Sequence, residues 1–135
     1  MNNETTEWNG YAINGDNAEL DAIITSPHGM LSLDKNDVES VLSCGGENWV
    51  VTAIGSDFAT TFDDALKSLP CRINDVKSIL ISFGFGSKQP IMAEMSSISA
   101  ALSEANDDLE IRWGTTPDSS LGESYKVVLV ASVKA

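Results

Sequence analysis

The sequence predicts an α+β fold, a two-layer α/β sandwich in which helices pack on one face of a four-stranded mixed sheet. Two observations carry this prediction. Apolar runs of strand length alternate with segments whose apolar residues recur at helical spacing, and the chain then finishes with two strands. With 135 residues, 42% of them hydrophobic and 21% charged, the chain has the size and composition of one globular domain with its own core.

The start of the chain lacks the hydrophobic period of the rest. Its few large apolar residues, Trp8, Tyr11 and Ile13, show neither a helical nor a strand repeat. We therefore expect residues 1–17 to form a loosely ordered arm and residues 18–135 to form the domain.

Two short helices open the predicted domain. Residues 18–24 indicate the first, which ends before Pro27 because a residue that precedes proline avoids helical angles. The second begins at Asp34, a favourable N-cap, and Asp37 stands three residues on, as in a capping box. The apolar stripe of this helix consists of Val38, Val41 and Leu42. The helix ends at the segment that follows, which consists of Cys44, Gly45 and Gly46.

The middle of the domain predicts a strand, a helix and a second strand. Residues 49–55 are a β-rich apolar run of strand length. A helix follows with Thr60 or Thr61 as its cap, and Pro70 closes it. Residues 76–83 are apolar at most positions, which favours a central strand covered on at least one face. The apolar face of the helix consists of Phe58, Phe62, Ala65, Leu66 and Leu69.

The last third of the chain predicts a helix and two strands. Residues 84–87 (Gly-Phe-Gly-Ser) break the preceding strand, and Pro90 suits the first turn of the next helix. Residues 106–108 end that helix. The final strands are residues 110–115 and 125–132. The core stripe of the helix repeats at helical spacing and consists of Ile91, Met95, Ile98, Leu102 and Ala105.

The charge of the chain excludes several classes of partner. Twenty acidic residues against eight basic ones give a formal net charge of −12. This balance argues against binding nucleic acid or an anionic membrane through bulk electrostatics. No apolar run approaches the length of about 18 residues that spans a bilayer, and the polar first residues lack the features of a targeting peptide. We therefore expect a cytoplasmic protein.

Candidate catalytic and cofactor residues are sparse. The single histidine, His28, cannot complete a zinc set with Cys44 and Cys71, which lack metal-ligand spacing. The glycines at 84–86 and 45–46 are not followed by the Lys-Ser/Thr of a phosphate-binding loop. We expect no metal, no cofactor and no enzymatic activity, including no intrinsic GTPase, from the chain alone.

Three segments resemble one known family. Residues 29–38 (GMLSLDKNDV) are similar to Gly-Leu-Ile-Asn-(apolar)-Asp-x-x-Asp-Val, and residues 111–123 (IRWGTTPDSSLGE) are similar to Ile-x-(Phe/Trp)-Gly-x-x-x-Asp-x-x-(Leu/Met). Residues 127–131 (VVLVA) are similar to a closing Val-x-Val-x-Val-(Ile/Val)-Ala strand. These are patterns of FtsZ, the cell-division relative of tubulin. The likeness covers about residues 20–134.

The resemblance implies the second, C-terminal domain of an FtsZ-like protein, without the GTP-binding domain. It implies that Asp34 and Asp37 match two acidic residues that the family inserts into the GTP site of a neighbouring subunit, where they help to position the attacking water. On the local sequence alone, both residues could simply cap a helix. Ser32 departs from the family, which has Asn at this position. The expected partner-binding loop consists of Gly29, Leu31, Ser32 and Leu33.

Two functions from different classes follow from the sequence. The first is an interaction and assembly module in cell division or filament formation, whose partner is an FtsZ-like GTPase subunit or a second copy of the chain. The alternative is a small-molecule-binding or enzymatic oligomer with a chorismate mutase-like two-layer sandwich. A site of that kind needs convergent cations, and Arg72 and Arg112 are the only arginines in the chain.

Overall fold

A computed structural model describes residues 5–15, 17–25, 33–88 and 90–134. Its strands are β1 (Thr5–Trp8), β2 (Tyr11–Asn14), β3 (Glu47–Gly55), β4 (Val76–Phe85), β5 (Glu110–Pro117) and β6 (Tyr125–Val133). Its helices are α1 (Ala18–Thr25), α2 (Lys35–Leu42), α3 (Phe58–Lys67) and α4 (Met92–Ala105), with short 3₁₀ turns at Ile73–Asp75 and Ser119–Leu121.

The strands form one mixed sheet in the order β1-β2-β3-β6-β4-β5. Strand β6 pairs antiparallel with both β3 and β4, whereas β5 runs parallel to β4. The four predicted strands are therefore present and adjacent. The predicted strand count is wrong, because β1 and β2 extend the sheet to six strands.

The two additional strands form a hairpin in the region where we expected a loose arm. Asn9 and Gly10 adopt φ angles of 50° and 90° and join β1 to β2, as in the two-residue turns that favour Asn-Gly. The side chains of Trp8 and Ile13 pack the hairpin against the core, with 7% and 0% of their surface exposed. The expectation of a loose segment is therefore wrong for Thr5–Asn14, while the domain division at residue 17 stays a prediction.

Helices cover both faces of the sheet, which corrects the prediction of one covered face. Consecutive residues of β4 show this, because Ile79 and Ile81 belong to one buried cluster and Leu80 belongs to another. We call the side under α3 and α4 the aromatic face. The opposite side, covered by α1, α2 and the β1-β2 hairpin, is the hairpin face. A strand buried on both sides has no polar alternation, which explains its continuous apolar run.

The aromatic face is centred on Phe83 of β4. Its ring centroid lies 5.2 Å from that of Phe58, 6.4 Å from that of Phe62 and 5.9 Å from that of Trp113, within the range of favourable aromatic pairs. The stripe predicted for α4 is confirmed at its centre, since Met95 and Leu102 are buried and Ile98 packs beside them. It is wrong at its ends, because Ile91 precedes the helix and is 62% exposed, and Ala105 is exposed.

Two local predictions need correction. Helix α3 is capped by Asp57, not by Thr60 or Thr61: the Asp57 carboxylate accepts hydrogen bonds from the Thr60 N–H at 3.0 Å and the Thr60 hydroxyl at 2.7 Å. Strand β4 is not broken at Gly84 but continues to Phe85, paired with β5 and β6. No helix within the described ranges is long and apolar enough to cross a membrane.

Candidate functional site

The two predicted acidic residues meet at the beginning of α2. The Asp34 carboxylate accepts a hydrogen bond from the Asp37 N–H at 3.0 Å, and the Asp37 carboxylate accepts one from the Asp34 N–H at 3.0 Å. The predicted capping box is therefore confirmed. The Asp37 backbone N–H lowers the pKa of Asp34, and its side chain adds to the effect. Each carboxylate is therefore held in place by the backbone N–H of the other residue.

A guanidinium completes this group. Arg112 of β5 places Nη1 3.4 Å from Asp37 Oδ1, and the two side chains are 40% and 26% exposed. Arg112 pairs with Leu80 across β4 and β5, which puts it on the hairpin face beside α2. Two carboxylates and one guanidinium together carry a formal charge of −1. The sequence indicated Arg112 only as a possible anion ligand, because 75 positions separate it from Asp37.

Leu33 anchors the chain immediately before the acidic pair. Its side chain is 9% exposed and lies in the same buried cluster as Val38. These positions precede the N-cap by one residue and follow it by four, which is the spacing of a hydrophobic staple. The other predicted loop residues, Gly29, Leu31 and Ser32, lie outside the described residues. Contact of this loop with a partner stays a prediction.

A cavity of about 300 Å³ also opens on the hairpin face, between α1 and the ends of β4, β5 and β6. Lys126 Nζ contacts Glu19 Oε1 at 2.9 Å on its wall, and both side chains are largely buried. The Ser82 and Thr116 hydroxyl oxygens lie 2.7 Å apart. The sequence contained no signal for this cavity, because its walls come from segments that are distant along the chain.

In the described part of the chain, two cations of the hairpin face are already paired with carboxylates. Arg112 is engaged with Asp37, and Lys126 is engaged with Glu19. These pairings give no support to the alternative of a chorismate mutase-like anion site. Among the described residues, no group of three or more His, Cys, Asp or Glu side chains could hold a metal ion.

The glycines at the end of β4 serve backbone packing. A Cβ on Gly86 would collide with the backbone of Gly122, and a Cβ on Gly84 would lie 3.1 Å from Lys126. Gly46, after α2, lies against the carbonyl of Val133 in the same manner. Close approach of neighbouring backbones therefore explains these glycines without a phosphate.

Comparison with known proteins identifies the fold. No protein-family model matches the chain. The chain superimposes on FtsZ of M. jannaschii with a TM-score of 0.70 and 25% identity, covering 86% of this chain and 36% of that one. For CetZ of Methanosaeta thermophila the TM-score is 0.70 at 15% identity, with 87% and 35% of the two chains covered. For TubZ of Bacillus thuringiensis serovar israelensis the TM-score is 0.65 at 13% identity, with 82% and 32% covered.

The chain spans about a third of the length of these proteins. The order of α1, α2 and the later elements is the one that the sequence resemblance implied. The resemblance is therefore confirmed: this chain has the fold of the C-terminal, second domain of the FtsZ/tubulin superfamily.

Proposed function

We propose that this domain is a protein-interaction module of filament assembly that presents Asp34 and Asp37 to the nucleotide site of a partner subunit. The partner is an FtsZ-like GTPase or a second copy of a chain that carries such a site. The domain itself does not bind GTP. The proposal rests on one observation: both carboxylates are fixed by reciprocal hydrogen bonds at the start of α2, in a domain with the FtsZ fold.

The geometry suits a role in positioning a water molecule. A carboxylate that orients the nucleophile must hold its place while the partner docks, because misplacement of reacting groups by about 1 Å lowers rates strongly. The capping box holds the backbone and both side chains, and the staple at Leu33 holds the preceding residue. Asp34 is exposed, so its carboxylate is accessible to a partner.

Arg112 moderates the charge that the pair brings to a partner's phosphates. Two free carboxylates would repel a nucleotide, whereas a guanidinium 3.4 Å from Asp37 offsets part of that repulsion. Guanidinium groups also stabilise the charge that develops in phosphoryl transfer. We therefore include Arg112 with Asp34 and Asp37 in the proposed interacting surface.

The test measures phosphate release and light scattering of purified M. jannaschii FtsZ with GTP and Mg²⁺, in the presence of increasing amounts of this domain. We expect the wild-type domain to change both signals. The Asp34→Asn/Asp37→Asn double variant should have a much weaker effect, because it keeps the caps but loses the charge. Asp57→Asn is the control for neutralising a capping carboxylate as such, since it makes one Asp→Asn change at the cap of α3 on the other face; the single variant Asp34→Asn, which removes the same number of charges, is compared with it directly.

Three outcomes bear directly on the proposal. An effect of the wild-type domain that Asp57→Asn retains and the double variant loses supports it. No effect of the wild-type domain at saturation, or equal effects of all variants, contradicts it. Saturable binding of GTP to the isolated domain in isothermal titration calorimetry would contradict the statement that it does not bind nucleotide.

A further inference from the structure

A second surface lies on the aromatic face, on the opposite side of the sheet from Asp34 and Asp37. Helices α3 and α4 leave between them a groove with a volume of about 460 Å³. Phe62 and Leu102 line it with side chains that are 7% and 4% exposed, and Leu66 and Ile98 line it with half-buried ones. Most of the residues that line the groove are apolar, and in the part of the chain that the structure describes no other element covers it.

The wall formed by α4 extends the apolar surface toward solvent. Ala101 and Ala105 line the groove and are exposed. Small side chains at the rim allow another backbone to approach closely. An exposed apolar groove between two helices is a common receptor for an amphipathic helix.

The charges at the groove favour a basic occupant. Asp63 lines the groove from α3, and Glu94 lies on the groove side of α4, three and seven residues before Ser97 and Ala101. The nearby cation, Lys67, forms an exposed ion pair with Asp63 at 2.9 Å, and an exposed pair of this kind contributes little stability. A partner's lysine or arginine could replace it at small cost.

We propose that the α3–α4 groove binds an amphipathic helix of a partner protein, with an apolar face seated between α3 and α4 and Lys or Arg residues along its edges. The proposal is independent of the proposed function, because it uses the other face of the sheet and none of the same residues. A second copy of this chain fits the groove poorly. Its net charge of −12 would oppose approach to a groove that Asp63 already lines with negative charge.

The test uses three fluorescein-labelled peptides of roughly 18 residues, about five helical turns. The first has leucines on one helical face and lysines on the other. The second has the same composition but distributes its leucines around the helix. The third keeps the leucine face and replaces the lysines with glutamates. Fluorescence anisotropy at about 0.15 M and about 0.5 M NaCl measures binding and its screening by salt.

Two neighbouring alanines provide the matched variants. Ala101→Glu places a charge on the groove wall, whereas Ala100→Glu makes the same change on an exposed position of α4 outside the groove. Both variants have the same net charge, and circular dichroism with a urea titration verifies that both fold. We expect Ala101→Glu to weaken binding of the first peptide about tenfold, or about 1.4 kcal/mol, because the larger side chain takes up space on the groove wall and its carboxylate would be desolvated against the leucine face, which costs more than attraction to the peptide's lysines returns. Ala100→Glu should leave it within about twofold of wild type.

The outcomes distinguish binding in the groove from nonspecific attraction between a basic peptide and an acidic protein. Tight binding of the first peptide alone, weakened by Ala101→Glu and not by Ala100→Glu, supports the proposal. Equal binding of the second or third peptide contradicts it, and so does an equal effect of the two variants. Sedimentation equilibrium checks the remaining occupant: a dimer of the wild-type domain that Ala101→Glu dissociates would assign the groove to a second copy and overturn the proposal.

Discussion

The two faces of the sheet are closed by different means. On the aromatic face, α3 and α4 span ten and fourteen residues and bury interlocking rings around Phe83. On the hairpin face, α1 and α2 have eight residues each, and a hairpin of two four-residue strands completes the cover. The longer helices nevertheless leave a groove between them.

Polar side chains compensate for the short elements of the hairpin face. Trp8 Nε1 donates to Asp21 Oδ1 at 2.8 Å and so joins β1 to α1. Asn9 joins the hairpin turn to Glu39 of α2 at 2.5 Å. Asn48 donates from within the core to the carbonyl of Leu42, at 3.1 Å. The aromatic face has such bonds at one end of α4, where Asn106 Nδ2 donates to the carbonyls of Ile73 and Val76 at 3.0 and 2.9 Å. The difference teaches that longer helices pack around a cluster of rings on one face, while on the other specific hydrogen bonds join several short segments to one another.

The largest effect should come from the centre of the aromatic face. Phe83→Ala removes a 1% exposed ring that contacts three other rings. We expect a loss of about 3–5 kcal/mol in the free energy of unfolding, measured by urea titration. Phe85→Ala, at the half-buried end of the same strand, is the control and should cost less. Equal losses would show that the rings around Phe83 are not a packed cluster.

The next effect tests whether the hairpin belongs to the folded domain. Ile13 is 0% exposed and lies in the cluster of the hairpin face, so Ile13→Ala should cost about 2–5 kcal/mol. Ile54→Ala removes the same atoms from a side chain that is 62% exposed, and should stay within about 0.5 kcal/mol of wild type. If Ile13→Ala proves as mild as its control, the hairpin is the loose arm that the sequence predicted.

A smaller effect should follow from the hydrogen bond between the hairpin and α1. Asp21→Ala removes the acceptor of the Trp8 indole N–H, and we expect a loss of about 0.5–1.5 kcal/mol in urea titration. Asp21→Asn keeps an acceptor oxygen and should retain most of the stability. A loss from Asn as large as that from Ala would indicate that the charge of Asp21, and not its hydrogen bond, is what matters.

The same contrast explains what the sequence could predict. Strands β3 to β6 and the four helices follow from periodicities of neighbouring residues, which are local. The hairpin was not predicted because its strands are too short to show an alternation of apolar and polar residues, although Asn9-Gly10 is a hairpin signal. The cover on the second face of the sheet was not predicted, because the apolar run around Leu80 does not show whether helices pack on one side of the strand or on both.

The candidate site divides in the same way. Asp34 and Asp37 are three positions apart, so their capping box could be predicted from sequence chemistry. The pairing of Asp37 with Arg112 could not, because it depends on how β5 is placed beside α2. The cavity under α1 and the α3–α4 groove likewise form only where segments that are distant along the chain meet. No local sequence pattern predicts them.

The smallest expected effect compares the helix caps on the two faces. The Thr60 hydroxyl, and then its N–H, lower the pKa of Asp57, while the backbone N–H of Asp37 is the main cause of the lowered pKa of Asp34. A carboxyl whose folded pKa lies below its unfolded value stabilises the fold above the unfolded pKa. That contribution disappears as the pH falls through the folded pKa. Both caps should therefore weaken below about pH 4.

Asn can cap a helix but does not titrate, so Asp57→Asn and Asp34→Asn should each lose less stability than wild type between about pH 5 and pH 3. Urea midpoints of the three proteins across this range measure the difference, and all other acidic groups contribute equally to each. Midpoints that run parallel for wild type and both variants would mean that neither carboxylate gains stability from its charge.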